Sequence, residues 1–506
     1  MMNTPTQHVM PASGRLLQLS VVVSLLCAGA RMLLCMRILS PTDFGLWKTV
    51  IMIGILAEGM TFGVLKGIVN TISGHRSLTE SVSARDLAAS GWVVCAAVFS
   101  LIGAATCLWH LVLSGGHKAL VPVLGGIYIA LAGPCAFLRE LASARLRFGL
   151  RSAEYLASAV LDVLLTVMLT YKLGLVGFAL GSVIPLAFGV AVLGGSMNLP
   201  DWRHATRRGA WALVRSGFGY SITEYLFDIL RRLPILIYAA VARPVVVGLY
   251  SVNQLITDNA NLTAKRGVSQ VLAPLYSLHY GKERMASALR PLFVRTLWWS
   301  CLLSPVCIGA ASLVIPAVLG TALPAYAKAA GSVIAALWTC HFVVIHSVTS
   351  TMFVMGKRVR RILTIEVVLL ACGLILLGGL ARWASVDCYA WVACAVLAVY
   401  VLVELREAFT VVQLRGAWRT VAAVMAPALS SALLLSAISP RWLAGDTGHG
   451  VATLIGRVAL FAGAYTLIWG GAVRMKLWRP PLEVPDCPVT AVAFPSHAGL
   501  PVTSVE

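Results

Sequence analysis

The chain has 506 residues, of which 59% are hydrophobic and 12% charged, about half the charged fraction of an ordinary soluble domain. A globular core of this length cannot bury so much apolar surface, so the composition excludes a soluble domain and indicates a protein dissolved in lipid. The net charge of +20 would favour nucleic acid as a partner of a soluble protein, but here the basic residues concentrate in loops between apolar runs.

The apolar runs are roughly 20 residues long and do not alternate, which predicts transmembrane helices and not a β-barrel. The sequence predicts an all-α, polytopic membrane protein with about 14 transmembrane helices. The predicted architecture is two six-helix lobes around a central cavity, followed by two C-terminal helices. The predicted spans are 15–39, 44–70, 88–113, 119–140, 154–172, 174–196, 214–241, 245–279, 289–319, 324–355, 360–381, 387–413, 418–438 and 451–474.

These spans define the expected organisation of the chain. Pro-rich residues after Arg479 have no helical period, which is typical of a disordered tail. The predicted segments are a cytoplasmic tail at 1–14, the N-terminal lobe at 15–196, a cytoplasmic linker at 197–213, the C-terminal lobe at 214–413, two further transmembrane helices at 414–479, and a disordered cytoplasmic tail at 480–506.

The distribution of Lys and Arg predicts the orientation, because basic residues are enriched in cytoplasmic loops. Dense basic clusters occur in alternate loops, for example at 139–151, 203–215, 282–295 and 357–361. The opposite loops hold few basic residues. Both termini are therefore predicted to be cytoplasmic.

A seven-residue pattern, Pro-x-x-x-Gly-Leu-aromatic, occurs at 41–47 and again at 244–250. Each copy lies between an apolar run and a long run that contains polar residues. This spacing predicts two halves in the same orientation, as in transporters built from parallel repeats, although Pro and Gly favour turns anyway.

Charged residues inside the predicted spans are costly, about 2.5–3.5 kcal/mol each at the centre of a lipid-facing helix. They therefore have to face one another or a water-filled cavity. Glu224, Asp228 and Arg231 share one helical face, and Gln254, Asp258, Asn261 and Lys265 form a second stripe. The first two spans contribute Arg31, Glu58, Lys66 and Asn70 less regularly.

These patterns predict a polar cavity between the two lobes. The alternative is that the charges form interhelical ion pairs that only hold the bundle together. Arg37, Arg232, Arg266 and Arg457 are expected to reach a membrane interface or to pair locally. His341 and His346 are expected to be packed core histidines.

Four short motifs, at 37–47, 247–251, 271–276 and 355–357, together resemble bacterial polysaccharide exporters of the O-antigen (Wzx-type) flippase family. Residues 37–47 look like its Leu-Gly-Pro-x-x-Phe-Gly-x-aromatic turn, with Ser40 in place of the glycine. Residues 247–251 match its Val-Gly-x-Tyr-Ser signature, and 271–276 and 355–357 resemble its helix ends. The order of these motifs along most of the chain carries the resemblance.

The resemblance implies a transporter, not an enzyme, of the multidrug/oligosaccharidyl-lipid/polysaccharide exporter superfamily, with alternating access in the bacterial inner membrane. It implies a cationic cavity, into which Arg31, Lys66, Arg231 and Lys265 would fit. Glu58, Glu224, Asp228 and Asp258 are candidates for ion coupling. The expected substrate is an undecaprenyl-pyrophosphate-linked oligosaccharide, and polysaccharide polymerase and chain-length machinery are candidate partners besides the lipid bilayer.

No cofactor, metal or nucleic acid is expected. The first alternative is a multidrug or small-molecule antiporter of the same superfamily, for which an acidic cavity is expected. A membrane-embedded glycosyltransferase or polymerase is a further alternative. The sequence lacks the large extramembrane loop and the paired catalytic acids that such an enzyme would use.

Overall fold

The computed structural model describes residues 12–73, 83–114, 120–145, 147–264, 285–355, 359–411, 417–438 and 451–475. These residues form 14 α-helices and two short 3-10 segments. The helices are α1 (Ala12–Ile38), α2 (Pro41–Gly59), α3 (Val64–Ser73), α4 (Ala84–Ser114), α5 (Leu120–Ala144), α6 (Phe148–Met197), α7 (Arg207–Val241), α8 (Pro244–Ala264), α9 (Met285–Ala322), α10 (Ala330–Met355), α11 (Val359–Leu380), α12 (Val386–Val411), α13 (Ala417–Ile438) and α14 (Val451–Arg474).

The helices pack as two halves. In the N-terminal half (α1–α6), α1 lies along α6 and α5 contacts both α4 and α6. In the C-terminal half (α7–α12), α10 packs between α8, α9 and α12, and α11 lies on α7. Helices α13 and α14 attach to α9. The polytopic all-α fold class expected from the sequence is therefore confirmed.

One predicted span is interrupted in the structure, and another is described only in part. The span predicted at 44–70 is wrong as one helix, because it is broken between Gly59 and Val64 into α2 and α3. Gly63 has φ +87° in this turn, a conformation that a side chain disfavours. The span predicted at 245–279 is described as far as Ala264, and its remainder lies outside the described residues.

Helix α6 has 50 residues, which would extend about 75 Å if straight and far exceed the hydrocarbon core. Its backbone turns at Gly174, where φ is 57° and ψ is −133°. A side chain at Gly177 would clash with the carbonyl oxygen of Leu169, so the two arms pack against each other. The sequence predicted two spans here, 154–172 and 174–196, and the kink lies at the first residue of the second one.

The two copies of the repeated heptapeptide begin α2 and α8 with Pro41 and Pro244, and they lie against each other. A Cβ at Gly45 would clash with the carbonyl oxygen of Pro244, and a Cβ at Gly248 with that of Pro41. We call this end of the bundle the repeat end. The two halves are therefore in backbone contact there.

The halves also meet at the opposite end, which we call the linker end because residues 198–206 join α6 to α7 there. A Cβ at Gly217 in α7 would clash with the carbonyl oxygen of Gly63. The hydroxyls of Thr71 and Ser216 are hydrogen-bonded at 2.8 Å. The space between the halves is consequently narrowed at both ends.

Candidate functional site

Helices α2, α3, α7 and α8 carry the charged side chains that meet between the two halves. Among the described residues, nine helices are long and apolar enough to cross a membrane by length and composition. Those four helices are not among the nine, and neither is α1. Helix α3 is too short for this criterion, with 10 residues, whereas α2, α7 and α8 carry charged residues within their length.

The carboxylate of Asp258 on α8 forms ion pairs with basic side chains from both halves. Arg231 Nη1 donates to Asp258 Oδ1 at 2.7 Å, and Arg232 Nη2 donates to the same oxygen at 3.0 Å. From the N-terminal half, Lys48 Nζ on α2 lies 3.7 Å from Asp258 Oδ2. We call these four residues the central cluster. The Arg231 side chain is completely buried, so it depends on the carboxylate of Asp258 to offset its desolvation.

The polar stripe predicted on α8 faces the stripe on α7. Gln254 Nε2 donates to Asp258 Oδ1 at 3.0 Å, and Asn261 Nδ2 donates to Asp228 Oδ1 at 3.1 Å. Asp228 also lies 3.4 Å from Arg231. Among the described residues, the buried Arg231 Nε and Asn261 Oδ1 have no hydrogen-bond partner. The site therefore keeps hydrogen-bonding capacity for water or a ligand.

A pocket opens beside this cluster at the break between α2 and α3. It is lined by backbone and side chains from both sides of the break and from α7. Two of its lining residues are basic, Lys66 and Arg232, and three are acidic, Glu58, Glu224 and Asp228. On its rim the Tyr225 hydroxyl donates to the carbonyl oxygen of Leu56 at 3.1 Å, across the two halves.

Lys66 and Glu224 form a second ion pair between the halves, at 3.2 Å. Their side chains are 38% and 24% exposed, so water screens the attraction. Such pairs stabilise by about 0–1 kcal/mol. This pair is therefore able to open at little cost.

We expect Lys66→Gln to change the free energy of unfolding by less than about 1 kcal/mol, because the pair is partly solvated. Thermal unfolding of the detergent-purified protein measures this. Glu224→Gln is the matched variant and should behave alike. A loss several times larger from either variant would show that the pair is buried in the working protein.

The structure separates the residues predicted for the cavity. Arg231, Asp228 and Asp258 are in direct contact, and Lys66, Glu224 and Glu58 line the adjoining pocket. Arg31 instead binds Asp162 on α6, with Nη1 2.6 Å from both carboxylate oxygens. Lys265 lies outside the described residues.

Sequence reasoning missed two cations of the site, Lys48 and Arg232. Arg232 was expected to reach an interface or to pair locally, whereas it binds Asp258 on the next helix and lines the pocket. Lys48 follows the first copy of the repeat by one position, and its side chain is only 5% exposed. Its place just after the repeat was the signal that could have identified it.

The described residues contain no group of three or more His, Cys, Asp or Glu side chains that could hold a metal ion. The donors of the site are instead guanidinium, ammonium, amide and carboxylate groups. Chemically, this set can bind an anion on its arginines or a cation on its acids. It provides no nucleophile with an activating base.

Three-dimensional comparison identifies the architecture. The lipid II flippase MurJ, in an inward closed conformation, matches with a TM-score of 0.60 and 14% identity over 92% of this chain and 99% of that chain. A mutant of the Vibrio cholerae MATE transporter VcmN matches with a TM-score of 0.54 and 17% identity over 79% of this chain and 96% of its own. This chain has the MATE/MurJ fold.

An inward-facing multidrug resistance transporter of the MATE family, within the MOP superfamily, has the same fold, with a TM-score of 0.53 and 15% identity over 81% of this chain and 96% of that chain. No family model and no curated protein matches the sequence. Identities this low establish the MATE/MurJ fold and leave the substrate to be argued from the site.

Proposed function

We propose that this chain is a flippase that moves an undecaprenyl-pyrophosphate-linked oligosaccharide from the cytoplasmic to the periplasmic leaflet of the bacterial inner membrane. It would serve surface or exopolysaccharide biosynthesis, with both termini in the cytoplasm. The observation that carries the proposal is the convergence of Lys48, Arg231 and Arg232 on the single carboxylate of Asp258.

The central cluster suits a phosphate ligand because arginine binds phosphate through paired hydrogen bonds, in the geometry that it also uses for carboxylates. Asp258 occupies this position in the structure, where it accepts from both arginines. A pyrophosphate presents more anionic oxygens than one carboxylate. It is therefore suited to replace Asp258 as the partner of these cations.

Acidic partners are needed when the substrate is absent. Buried cations without a counterion would cost several kcal/mol each. Asp228 and Asp258 form ion pairs with Arg231 and Arg232 in the structure. The near balance of charge at the site is thus compatible with an anionic substrate that takes the place of internal acids.

The same exchange would connect binding to movement. Lys48 belongs to the N-terminal half, and Asp258 belongs to the C-terminal half, so their contact at 3.7 Å ties the halves together. A phosphate that binds Lys48 together with Arg231 and Arg232 would replace this direct tie with one through the substrate, so the contact between the halves would depend on whether substrate is bound. The solved neighbour MurJ is named as a lipid II flippase, which supports a lipid-linked substrate for this fold.

We expect Arg232→Gln to lower the amount of surface polysaccharide at least tenfold in a deletion strain that expresses the variant, because one of the two phosphate-binding guanidinium groups is lost. Lipid-linked oligosaccharide should accumulate on the cytoplasmic face. Immunoblotting of the glycan and analysis of extracted lipids measure the two quantities.

Arg382→Gln is the matched control, since it removes the same charge from an exposed position between α11 and α12. It should leave the polysaccharide at the wild-type level. Normal polysaccharide with Arg232→Gln, in membranes that contain normal amounts of the protein, would contradict the flippase proposal.

A multidrug or small-molecule antiporter is the second candidate. The observation in its favour is the pocket itself, where Glu58, Glu224 and Asp228 outnumber Lys66 and Arg232. A deletion strain that becomes sensitive to cationic dyes and keeps normal surface polysaccharide would support the antiporter and exclude the flippase.

A further inference from the structure

A second buried polar cluster lies in the C-terminal half, where α10, α11 and α12 meet. It consists of His346 on α10, Glu366 on α11, and Tyr400 and Glu404 on α12, and each residue is less than 5% exposed. We call it the α10–α12 cluster. None of these residues lines the pocket beside the central cluster.

The α10–α12 cluster contains two hydrogen-bonded pairs, one between α10 and α12 and one between α11 and α12. His346 Nδ1 lies 2.9 Å from Glu404 Oε2. The Tyr400 hydroxyl donates to Glu366 Oε1 at 3.1 Å. Tyr400 and Glu404 are four residues apart on α12, so their side chains emerge from the same helical face.

The charges of this cluster do not balance. His346 supplies at most one positive charge, while two carboxyl groups share the site. Among the described residues, Glu366 Oε2 and Glu404 Oε1 have no hydrogen-bond partner, although both side chains are almost fully buried. A buried carboxylate oxygen without a donor is costly, and a proton on it removes the charge.

A proton fits the site better than a metal cation does. A metal ion needs several converging ligands, and the described residues contain no such group. By contrast, a carboxyl group, an imidazole and a phenol connected in pairs can hold and pass a proton.

Among the described residues, other titratable groups on α10 and α12 have partners outside the cluster. On α12, Glu407 follows Glu404 by three residues, and it is paired with Arg361 at 2.9 Å and Arg406 at 3.0 Å. The Arg361 side chain is 57% exposed, so this pair reaches water at the end of α12. On α10, His341 hydrogen-bonds to Ser304 on α9 at 2.7 Å.

The α10–α12 cluster also touches the helix that carries the central cluster. Phe227 on α7 stacks on His346, with ring centroids 3.4 Å apart and an interplanar angle of 12°. Phe227 directly precedes Asp228 and lies one turn before Arg231. A change in the charge or position of the imidazole therefore alters a packing contact of α7.

We propose that His346, Glu366 and Glu404 form an exchangeable proton-binding site that is separate from the central cluster. The proton adds to a carboxylate oxygen of Glu366 or Glu404 and leaves from it to water, with no other reactant. Phe227 transmits the occupancy of the site to α7. Asp228 and Asp258, which the sequence suggested for ion coupling, instead lie among arginines in the structure.

Infrared spectroscopy of the full-length protein in lipid nanodiscs tests this proposal without any transport substrate. Between about pH 6 and 9, where exposed carboxylates stay ionised, a carboxylic-acid C=O band of the wild type should change reversibly on titration, and it should shift in D₂O. Glu366→Gln or Glu404→Gln should remove the titrating band. Tyr400→Phe should shift the frequency of the band, because the hydroxyl that donates to Glu366 is lost.

Glu154→Gln is the matched control, because Glu154 is equally buried but is held by Arg139 at 2.6 Å. This variant should keep the titrating band. Gln variants are nearly isosteric, and the wild-type and Tyr400→Phe spectra remain informative if one variant fails to fold. A titrating band that survives in both Glu366→Gln and Glu404→Gln would overturn the proposal, as would its absence from the wild type.

Removal of the band by sodium chloride, but not by potassium chloride, at constant pH would show a sodium site and would also overturn it. The outcome is independent of the proposed flippase activity. If Arg232→Gln leaves polysaccharide normal, the proton site can still be present, and the reverse also holds.

Discussion

Replacing Asp258 by asparagine is expected to lower the free energy of unfolding by about 3–5 kcal/mol, the typical cost of removing one partner from a buried charge pair. The carboxylate of Asp258 is shared by Lys48, Arg231 and Arg232. Without it, these cations repel one another in a site where the Arg231 side chain is completely buried. Thermal and denaturant unfolding of the purified protein measure the loss.

The double variant Asp258→Asn/Arg232→Gln should recover part of this loss, because it removes one of the cations that lost their partner. The coupling energy of the double-mutant cycle then reports the interaction of the two side chains. Glu140→Gln is a control at a partly exposed pair with Arg151, and it should cost about 0–1 kcal/mol. Equal losses from Asp258→Asn and Glu140→Gln would show that the central cluster is hydrated in solution.

Gly248→Ala is expected to move α2 and α8 apart at the repeat end. The added Cβ would overlap the carbonyl oxygen of Pro41, which is a backbone atom and cannot move as a flexible side chain does. Overpacking of this kind costs typically about 1–3 kcal/mol. The ratio of closed to open molecules at this end should fall roughly 5- to 150-fold.

Distances between spin labels at positions 46 and 245 measure this separation, because Leu46 and Val245 are exposed on α2 and α8. Gly248→Ala should shift the distribution to longer distances. Gly378→Ala in α11 is the matched control, since no described atom lies within 4 Å of its added Cβ. It should be neutral or slightly stabilising, because alanine is the better helix former. Unchanged distances with Gly248→Ala would contradict the close contact.

The fold class and the helical faces could be predicted from the sequence because they follow from local patterns. Apolar length predicts the spans, and the i, i+4 spacing puts Asp228 and Arg231 on one face of α7. The repeated heptapeptide marked the starts of α2 and α8. The pattern also indicated that the α7 and α8 stripes would face a shared site.

The partner of each charge was harder to predict, because it depends on which helices become neighbours. Arg31 pairs with Asp162, which lies 131 positions along the chain. Arg232 directly follows Arg231, so helical spacing places it on a different face of α7 from Arg231. Its long side chain nevertheless reaches Asp258.

Single residues also decided features that periodicity does not report. The break between α2 and α3 contains two residues with positive φ, Phe62 and Gly63, and Lys66 after the break lines the pocket. Glu404 was overlooked in the sequence, and His346 was interpreted as a packing residue. Their contact requires α10 and α12 to lie side by side, which is tertiary information.

The contact between the repeated segments has a consequence for how such a chain can arise. Gly45 lies on the carbonyl of Pro244 while Gly248 lies on that of Pro41, so each segment presents to the other the surface that it receives. This reciprocity is the hallmark of a twofold homodimer interface. A gene encoding a single half would already specify a self-complementary surface, and its product could pair with an identical copy before any fusion joined the two.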